Sequence, residues 1–379
     1  MSIVELHIQN FRNICESKIE LSDRLNVITG VNGSGKTTLL EAIHFLGRGR
    51  SFRTHAPGDI IGKHGNEAYV FATLSWSGNQ FARLGIAIDR NAEKLKIQLD
   101  GKSIQRSSDL ASLVPLVFAG PDVGSPLFGS PSDRRRVLDW GVFHVEHWAR
   151  ASLERFKRLL SQRNALIRRT NPSSSLRSEL SAWDLELSRY ATDLDQARQR
   201  FLARIEPLFQ HFLGLLSPSF CAYVPLTSTI RFHYSRGWAE GESLHSILQQ
   251  QFDSDLARGH TSRGPHRADL SLVQDEVMIS SRCSHGQQKI LSAALALAQI
   301  ALLEEMTGNQ CIFLVDDLAS ELDVTHRSQF LTLLSELAVQ TLMTATELTL
   351  FEKDSIRPQG LNEARVFHVK HGEISSQKN

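Results

Sequence analysis

The sequence of 379 residues lacks several features that would assign it to a protein class at once. Its four cysteines include no Cys-x-x-Cys pair, which argues against a zinc site or a disulfide framework and fits a reducing cytoplasm. The net charge is only +1, so a nucleic-acid partner would require a local basic surface. The longest apolar run, SAALALAQIALL, is too short to span a bilayer and predicts a buried helix. The N-terminal stretch alternates apolar and polar residues, unlike a signal peptide.

Hydrophobic patterns divide the chain into three predicted regions. Residues 1–125 contain several strands, among them LNVITG, which is followed by a helix LLEAIHFLG that we expect to end at Gly47. Residues 126–245 have mostly helical spacing, and residues 246–379 return to alternating helices and strands. The simplest interpretation is an α/β domain whose sequence is split by a mostly helical insertion.

The strongest motif is GVNGSGKTT, which matches the P-loop pattern between a predicted strand and a predicted helix. Glycines let successive backbone N–H groups face the phosphates of a nucleotide. Lys36 is expected to reach the β and γ phosphates, and the Thr37 hydroxyl to bind Mg²⁺. The predicted nucleotide-binding residues of this loop are Gly30, Val31, Asn32, Gly33, Ser34, Gly35, Lys36, Thr37 and Thr38.

A P-loop requires a carboxylate that helps to hold the metal, and CIFLVDD provides a candidate. Asp316 and Asp317 follow a predicted buried strand, at the end of a parallel sheet where ligands collect. We expect Asp316 to hold Mg²⁺, largely through water, and Asp317 to polarise the attacking water.

The segment SHGQQ places Ser284, Gly286 and Gln287 directly ahead of a long apolar helix pattern. One interpretation is a second anion site, because free N–H groups at a helix N-terminus attract negative charge. The other interpretation is an ordinary capped helix start, and the motif alone is too short to decide between them.

The order of these motifs resembles that of the ABC-type ATPases. In that superfamily Ser-x-Gly-Gln is the signature motif, and SELD, from Ser320 to Asp323, would be the D-loop. The gap between P-loop and signature is far longer than in a transporter subunit, and the long helical insertion resembles SMC-like heads. Within those heads the chain is similar to the RecF family over essentially its whole length. The segments that carry this resemblance are FRNI, GVNGSGKTTLLEAI, GRGRSFRT, RRRVLDWGVFH, LLSQRNALIR, RGPHRADL, SHGQQK and VDDLASELD.

The resemblance implies an ABC-type P-loop ATPase head with α/β architecture, split in sequence by a helical lobe. Two heads would form a homodimer that sandwiches ATP and Mg²⁺, with the signature of one chain completing the site of its twin. The dimer would bind single-stranded, gapped and duplex DNA without sequence specificity. It would act with RecR and RecO in the cytoplasm, help to load RecA at gaps and support the SOS response.

Two positions depart from the wider superfamily. Thr346 and Glu347 stand where a histidine usually follows the next strand, and Asp122 is the only polar candidate for the glutamine loop. Both departures indicate slow hydrolysis. We therefore expect a weak, DNA-stimulated ATPase that serves as a clamp or timer.

A local basic region is the candidate for DNA binding. Residues 134–204 contain 15 Lys and Arg against 8 Asp and Glu, so this region carries a clear positive excess. Such a cluster can neutralise phosphates without reading sequence, although a solvated helix face explains the same pattern. The candidate DNA-binding residues are Arg155, Lys157, Arg158, Arg168 and Arg169.

Two further segments and two other functions remain open. The basic stretch GRGRSFRT resembles the arginine loop of SMC-like heads, and RGPHRADL is either functional or a structural turn. An ABC-type subunit that powers a membrane or protein machine is the main alternative function, but the long basic insertion argues against it. A nuclease is less favoured, because no metal-dependent nuclease motif accompanies the head.

Overall fold

The computed structural model describes most of the chain. The described residues are 1–54, 56–76, 80–91, 95–104, 106–120, 126–169, 174–217, 229–317, 322–346 and 364–377. Two compact units are present, and one of them is discontinuous in sequence. The split unit contains Met1–Ser125, His211–Phe220 and Ser284–Asn379, and the inserted unit contains Pro126–Gln210 and Cys221–Cys283.

The inserted unit extends further along the chain than the pattern predicted. It begins where the prediction placed it, after residue 125, but it ends at residue 283 instead of 245. The difference arises because residues 246–283 form helices and strands that pack with the insertion, and local periodicity does not reveal which core an element joins.

The first sheet of the split unit is antiparallel. Its strands have the spatial order β2-β1-β4-β5-β6-β7. Their bounds are β1 Ser2–Phe11, β2 Ile14–Glu20, β4 Glu67–Trp76, β5 Gln80–Asp89, β6 Leu95–Leu99 and β7 Lys102–Ser103. One face of this sheet is apolar and buried, as the alternation of buried and exposed residues in β1 and β4 indicates.

The second sheet of the split unit is mostly parallel and carries the site. Its strands have the order β15-β14-β3-β13-β12-β8, and only β15 is antiparallel to its neighbour. Their bounds are β3 Leu25–Thr29, β8 Leu116–Ala119, β12 Ile312–Val315, β13 Gln340–Ala345, β14 Arg365–Lys370 and β15 Glu373–Gln377. Strands β12 and β13 are buried at every residue, as expected for parallel strands covered on both faces.

Four described helices belong to the split unit. They are α1 Lys36–Arg48, α2 Ser107–Leu113, α8 His285–Thr307 and α9 Val324–Leu337. Helix α8 is long and apolar enough to cross a membrane by composition, but 67% of its apolar window is buried within the fold. We interpret it as a core helix.

The inserted unit is mainly helical and contains a small three-stranded sheet. Its elements are α3 Pro131–His144, α4 Arg150–Arg169, α5 Ser174–Leu216, β9 Arg231–Ser235, α6 Leu244–Gln250, α7 Phe252–Arg258, β10 Asp269–Gln274 and β11 Val277–Met278. Helix α5 continues past residue 210, where the residues are counted with the split unit. The core contains a fully buried Arg163 that bonds Asp184 at 2.6 Å and Asp255 at 2.8 Å. An unpaired charge there would be very costly, so these partners hold the helices together.

Candidate nucleotide site

The P-loop joins the end of β3 to the start of α1, as the sequence predicts. All three of its glycines have backbone conformations that other residues adopt only with strain: Gly30 has φ 149°, Gly33 has φ 79° and Gly35 has φ 119°. A Cβ at Gly30 would lie 2.4 Å from the Val369 carbonyl oxygen, so the loop passes too close to β14 for a side chain.

Neighbouring elements hold the loop in this shape. The Ser34 carbonyl accepts hydrogen bonds from Asn13 Nδ2 at 3.1 Å and from the Gly372 N–H at 2.8 Å. The Lys36 ammonium lies across the loop and donates to the carbonyls of Gly30, at 2.7 Å, and Val31, at 3.3 Å. To reach a phosphate, Lys36 must exchange these carbonyls for phosphate oxygens.

Three observations fit the loop to a phosphate group. Helix α1 has no side-chain cap at its N-terminus and no acidic residue in its first turn, so its free N–H groups suit an anion. Ser34 is 3% exposed, and its hydroxyl has no hydrogen-bond partner among the described residues. Buried hydroxyls are normally paired, so an oxygen-rich ligand would complete this environment.

The metal-binding residues predicted from two distant motifs lie together. Thr37 Oγ1 donates to Asp316 Oδ2 at 3.0 Å and lies 3.2 Å from Oδ1. The Asp316 carboxylate also accepts a 2.7 Å hydrogen bond from Thr344 Oγ1, a partner that the sequence motifs do not indicate. Asp316 is 4% exposed, and its backbone N–H bonds the Ala119 carbonyl of β8. One hydroxyl and one carboxylate form the hard oxygen donor set that suits Mg²⁺.

Asp317 lies one residue beyond this junction in an unusual conformation. Its φ is 53°, and its backbone N–H donates to Thr344 Oγ1 at 2.9 Å. The same threonine hydroxyl therefore contacts the Asp316 carboxylate and the backbone of Asp317. Left-handed backbone at a non-glycine residue is sparsely populated and is concentrated at functional sites.

The signature segment begins α8 with a complete capping box. The Gln287 N–H donates to Ser284 Oγ at 3.3 Å, and the Ser284 N–H donates to Gln287 Oε1 at 2.8 Å. Ser284 and Gly286 are exposed, and nothing lies within 4 Å of a Cβ at Gly286 except the Ser284 hydroxyl, at 4.0 Å. Among the described residues, the side chains of Ser284 and Gln287 bond only each other's backbone, so they take no part in the P-loop site of their own chain.

Comparison with known proteins decides the family. The model of the RecF/RecN/SMC N-terminal domain matches residues 2–370. The DNA replication and repair protein RecF of Shewanella loihica is 35% identical over 379 residues, 99% of this chain and 99% of that protein. RecF of Shewanella denitrificans is 36% identical over 375 residues, with the same coverage of both chains. The chain belongs to the RecF family.

Solved structures agree with this assignment at the level of the fold. The structure described as the recombination mediator protein RecF with ATP in the RecFOR pathway has a TM-score of 0.84 at 23% identity. The superposition covers 99% of this chain and 97% of the RecF chain. The Smc head domain from Pyrococcus furiosus, with an extended coiled coil, has a TM-score of 0.56 at 16% identity. The predicted ABC-type head with an inserted lobe is thereby confirmed as the fold.

Some RecF-family positions predicted from the sequence lie outside the described residues. They are Asp122, Ser320, Glu321 and Glu347. Of the predicted D-loop, Leu322 is buried, and Asp323 caps α9 by accepting a 3.0 Å hydrogen bond from the His326 N–H. Thr346 directly follows β13.

The candidate DNA-binding residues lie on α4, and their surroundings differ. Arg155 pairs with Glu186 at 3.0 Å and Lys157 with Asp139 at 2.9 Å, while Arg158 and Arg168 are exposed and Arg169 ends the helix. The Arg155–Glu186 pair is exposed, and exposed ion pairs are weak, so a phosphate could compete for this arginine; Asp139 is half-buried and also binds Arg198, at 2.8 Å. Their role in DNA binding stays a prediction.

The RGPHRADL motif has a structural role in this RecF-family chain. His266 Nε2 donates to the Thr261 carbonyl at 3.0 Å, and burial lowers the pKa of His266 to about 4, so its ring is neutral at pH 7. Asp269 binds Arg134 of α3 through two 2.7 Å hydrogen bonds, and that arginine lowers the pKa of the carboxyl. The motif thus joins a turn and a helix within the inserted unit.

Proposed function

We propose that this chain is an ATP-dependent DNA-binding protein of DNA replication and repair. The observation that carries the proposal is the junction of Thr37, Asp316 and Thr344 beside a P-loop with an uncapped helix N-terminus. Membership of the RecF family, and the solved RecF–ATP structure with the same fold, support ATP as the nucleotide.

Mg²⁺ would accompany the nucleotide. Thr37 and Asp316 would hold it, and the ion would supply charge neutralisation between phosphate oxygens. Lys36 would bind the phosphates from the loop side. Asp317 would orient water and accept its proton, which makes the chain a slow ATPase.

The signature supports an ATP-dependent homodimer. Because Ser284 and the start of α8 are exposed and do not serve their own P-loop, we propose that they close the nucleotide site of a second copy. A helix N-terminus at that position would stabilise the γ phosphate from the side that the P-loop leaves open.

The DNA-bound state would use the basic face of α4. Gapped and single-stranded DNA are the proposed substrates, and backbone contacts without base readout fit the arginine-rich composition. RecR and RecO are proposed partners in the cytoplasm, because the solved RecF structure is described as part of the RecFOR pathway. RecA loading at gaps and support of the SOS response would follow from that assembly.

DNA binding with and without ATP tests the proposal. The wild-type chain should bind gapped DNA at least tenfold more tightly with ATP and Mg²⁺ than without nucleotide, and more tightly than plain duplex. Lys36→Met should lose this ATP effect while its nucleotide-free DNA affinity stays unchanged. Equal DNA affinity of the wild type with and without ATP would contradict the proposal.

A further inference from the structure

A fully buried carboxylate lies in the P-loop helix but outside the nucleotide site. Glu41 of α1 is 0% exposed, and it accepts hydrogen bonds from Arg12 Nε at 2.5 Å and Arg12 Nη2 at 2.6 Å. The Ser51 hydroxyl donates to the same carboxylate. A buried carboxylate without partners is very costly, so these contacts constrain all the segments that provide them.

The first constrained segment is the basic stretch at residues 48–53, which begins at the last residue of α1. Arg53 Nη1 lies 3.7 Å from Glu41, and the backbone N–H groups of Arg53 and Thr54 donate to Ser51 Oγ at 2.8 and 3.1 Å. Ser51 thus connects the backbone of the basic stretch to the P-loop helix. Arg50 and Arg53 remain exposed on the surface.

The second constrained segment is the turn between β1 and β2. Arg12 has φ 51°, a conformation that must be held by its surroundings, and its backbone N–H donates to the Ile60 carbonyl at 2.7 Å. The next residue, Asn13, donates to the Ser34 carbonyl of the P-loop at 3.1 Å. Two adjacent residues of one turn therefore contact the P-loop and, through Glu41, the basic stretch.

This geometry makes the arrangement of the basic stretch sensitive to the P-loop. If the loop shifts when Lys36 exchanges the carbonyls of Gly30 and Val31 for a phosphate, the turn that holds Glu41 would feel the shift, because Asn13 of that turn donates to the Ser34 carbonyl. The central link is the Arg12–Glu41 pair, which has two short hydrogen bonds and a buried acceptor.

We propose that Arg12 and Glu41 are positioning residues that couple nucleotide binding at the P-loop to the order of the basic stretch, residues 48–53. This coupling rests on the proposed ATP binding. ATP tightens the contacts of Ser51 and Arg53, and without the Arg12–Glu41 pair the stretch no longer responds to nucleotide.

Limited trypsin digestion measures the coupling directly, because the basic stretch contains its own cleavage sites. In the wild-type chain, ATP with Mg²⁺ should slow cleavage after Arg50 and Arg53 at least threefold, as quantified by mass spectrometry. Cleavage after the exposed Lys102 in β7 should not change and serves as the internal reference.

Arg12→Lys is the main variant, because lysine keeps the positive charge but cannot make the paired hydrogen bonds. It should bind ATP within threefold of wild type and lose the protection of Arg50 and Arg53. Glu20→Gln is the matched control, since it breaks an exposed ion pair with Arg365, at 3.3 Å, in the same unit. This control should keep full protection.

The possible outcomes separate the two proposals. Arg12→Lys with normal ATP affinity and normal protection would overturn the coupling, as would wild-type chain that binds ATP without protection. Equal acceleration of cleavage at every site, with and without ATP, would show that the pair is only structural. A wild-type chain that does not bind ATP in calorimetry would overturn the proposed function and the coupling with it.

Discussion

The P-loop region and the signature region present their polar groups in opposite ways. At the P-loop, side chains from α1 and from the ends of β12 and β13 already meet, with Thr37, Asp316 and Thr344 within hydrogen-bond distance in a buried junction. At the signature, the side chains of Ser284 and Gln287 bond each other's backbone and no other group in the described part of the chain, and Ser284 is exposed. The first region already brings together the side chains of the candidate nucleotide site. The second region is an exposed helix start, which in our proposal acts only on the nucleotide of a second copy.

This difference suggests separate roles for the two regions: the P-loop junction would set nucleotide affinity, and the signature would set the response to a second copy. A buried, preassembled junction favours nucleotide affinity within one chain, because little has to be ordered on binding. An exposed, self-capped helix start is stable by itself, and in the proposed dimer it would offer its N–H groups to the nucleotide of a second copy. Substitutions in the two regions should therefore fail in different ways.

Lys36→Met should have the largest effect, on the P-loop side of the comparison. It removes the charge opposite the phosphates and keeps the bulk of a side chain that is 7% exposed, so folding should survive. ATP affinity, measured by calorimetry, should fall at least about a hundredfold, because the ammonium–phosphate contacts are lost. Unchanged ATP affinity would mean that the junction does not bind nucleotide through Lys36.

Ser284→Arg should break the signature side alone. ATP affinity of the monomer should stay within threefold of wild type, since Ser284 does not touch its own P-loop. Dimerisation in ATP and ATP hydrolysis should be lost, because a long cationic side chain obstructs the exposed face. Sedimentation and phosphate release measure the two losses.

Mixing Ser284→Arg chains with Lys36→Met chains sharpens the comparison. In a mixed dimer one composite site has an intact P-loop and an intact signature, so some hydrolysis should return. If Ser284 served the P-loop of its own chain, every site would be damaged and the mixture would stay inactive.

Asp317→Asn should have an intermediate effect, because asparagine keeps the shape but cannot accept a proton. Asparagine also tolerates the left-handed backbone at this position, so the fold should not be strained. Hydrolysis should slow about a hundredfold while ATP still binds, and single-turnover assays measure this rate.

Asp275→Asn is the matched control and should leave the rate of hydrolysis unchanged. Asp275 has the same left-handed backbone, with φ 51°, in the exposed turn between β10 and β11. Equal rates for Asp317→Asn and wild type would assign the water to another residue.

Ser284→Ala and Ser284→Gly should have the smallest effects and should separate the two roles of the serine. Alanine removes the cap of α8 and should lower the free energy of unfolding by about 1 kcal/mol, whereas glycine should cost only a few tenths. Urea denaturation measures this difference. Both variants should hydrolyse ATP less well than wild type if the hydroxyl serves a partner, and equal hydrolysis would limit Ser284 to the cap.

The sequence predicted the motif residues at the candidate site, but it did not predict Thr344, which contacts both Asp316 and the backbone of Asp317. The P-loop pattern predicted Lys36 and Thr37 as site residues, and a buried strand before two acids predicted Asp316, because each motif is local; the structure places Thr37 and Asp316 in contact. Thr344 was missed because its role depends on β13 lying between β3 and β12, and this order of strands leaves no mark in local sequence. The Arg12–Glu41 pair was missed for the same reason, since an acid within a helix normally predicts an exposed face.

The end of α1 shows how two equivalent signals can mislead. The helix was expected to end at Gly47, but it continues to Arg48, and Gly49 provides the left-handed cap with φ 65°. Gly47 has another purpose, because a Cβ there would lie 2.5 Å from the Leu116 side chain. Glycine marks both helix ends and close packing, and only the folded chain distinguishes them.

The last described hairpin has a consequence for the time at which the protein can first bind a ligand. Strand β14 lies beside β3, and the Gly372 N–H donates to the P-loop carbonyl of Ser34. On the ribosome, the nucleotide loop emerges early and then waits for this hairpin for an interval on the order of tens of seconds at ordinary rates of synthesis. A chain that stops before residue 365 therefore lacks β14 and the Gly372 hydrogen bond that supports the loop, and we expect it to bind ATP more weakly than the complete chain.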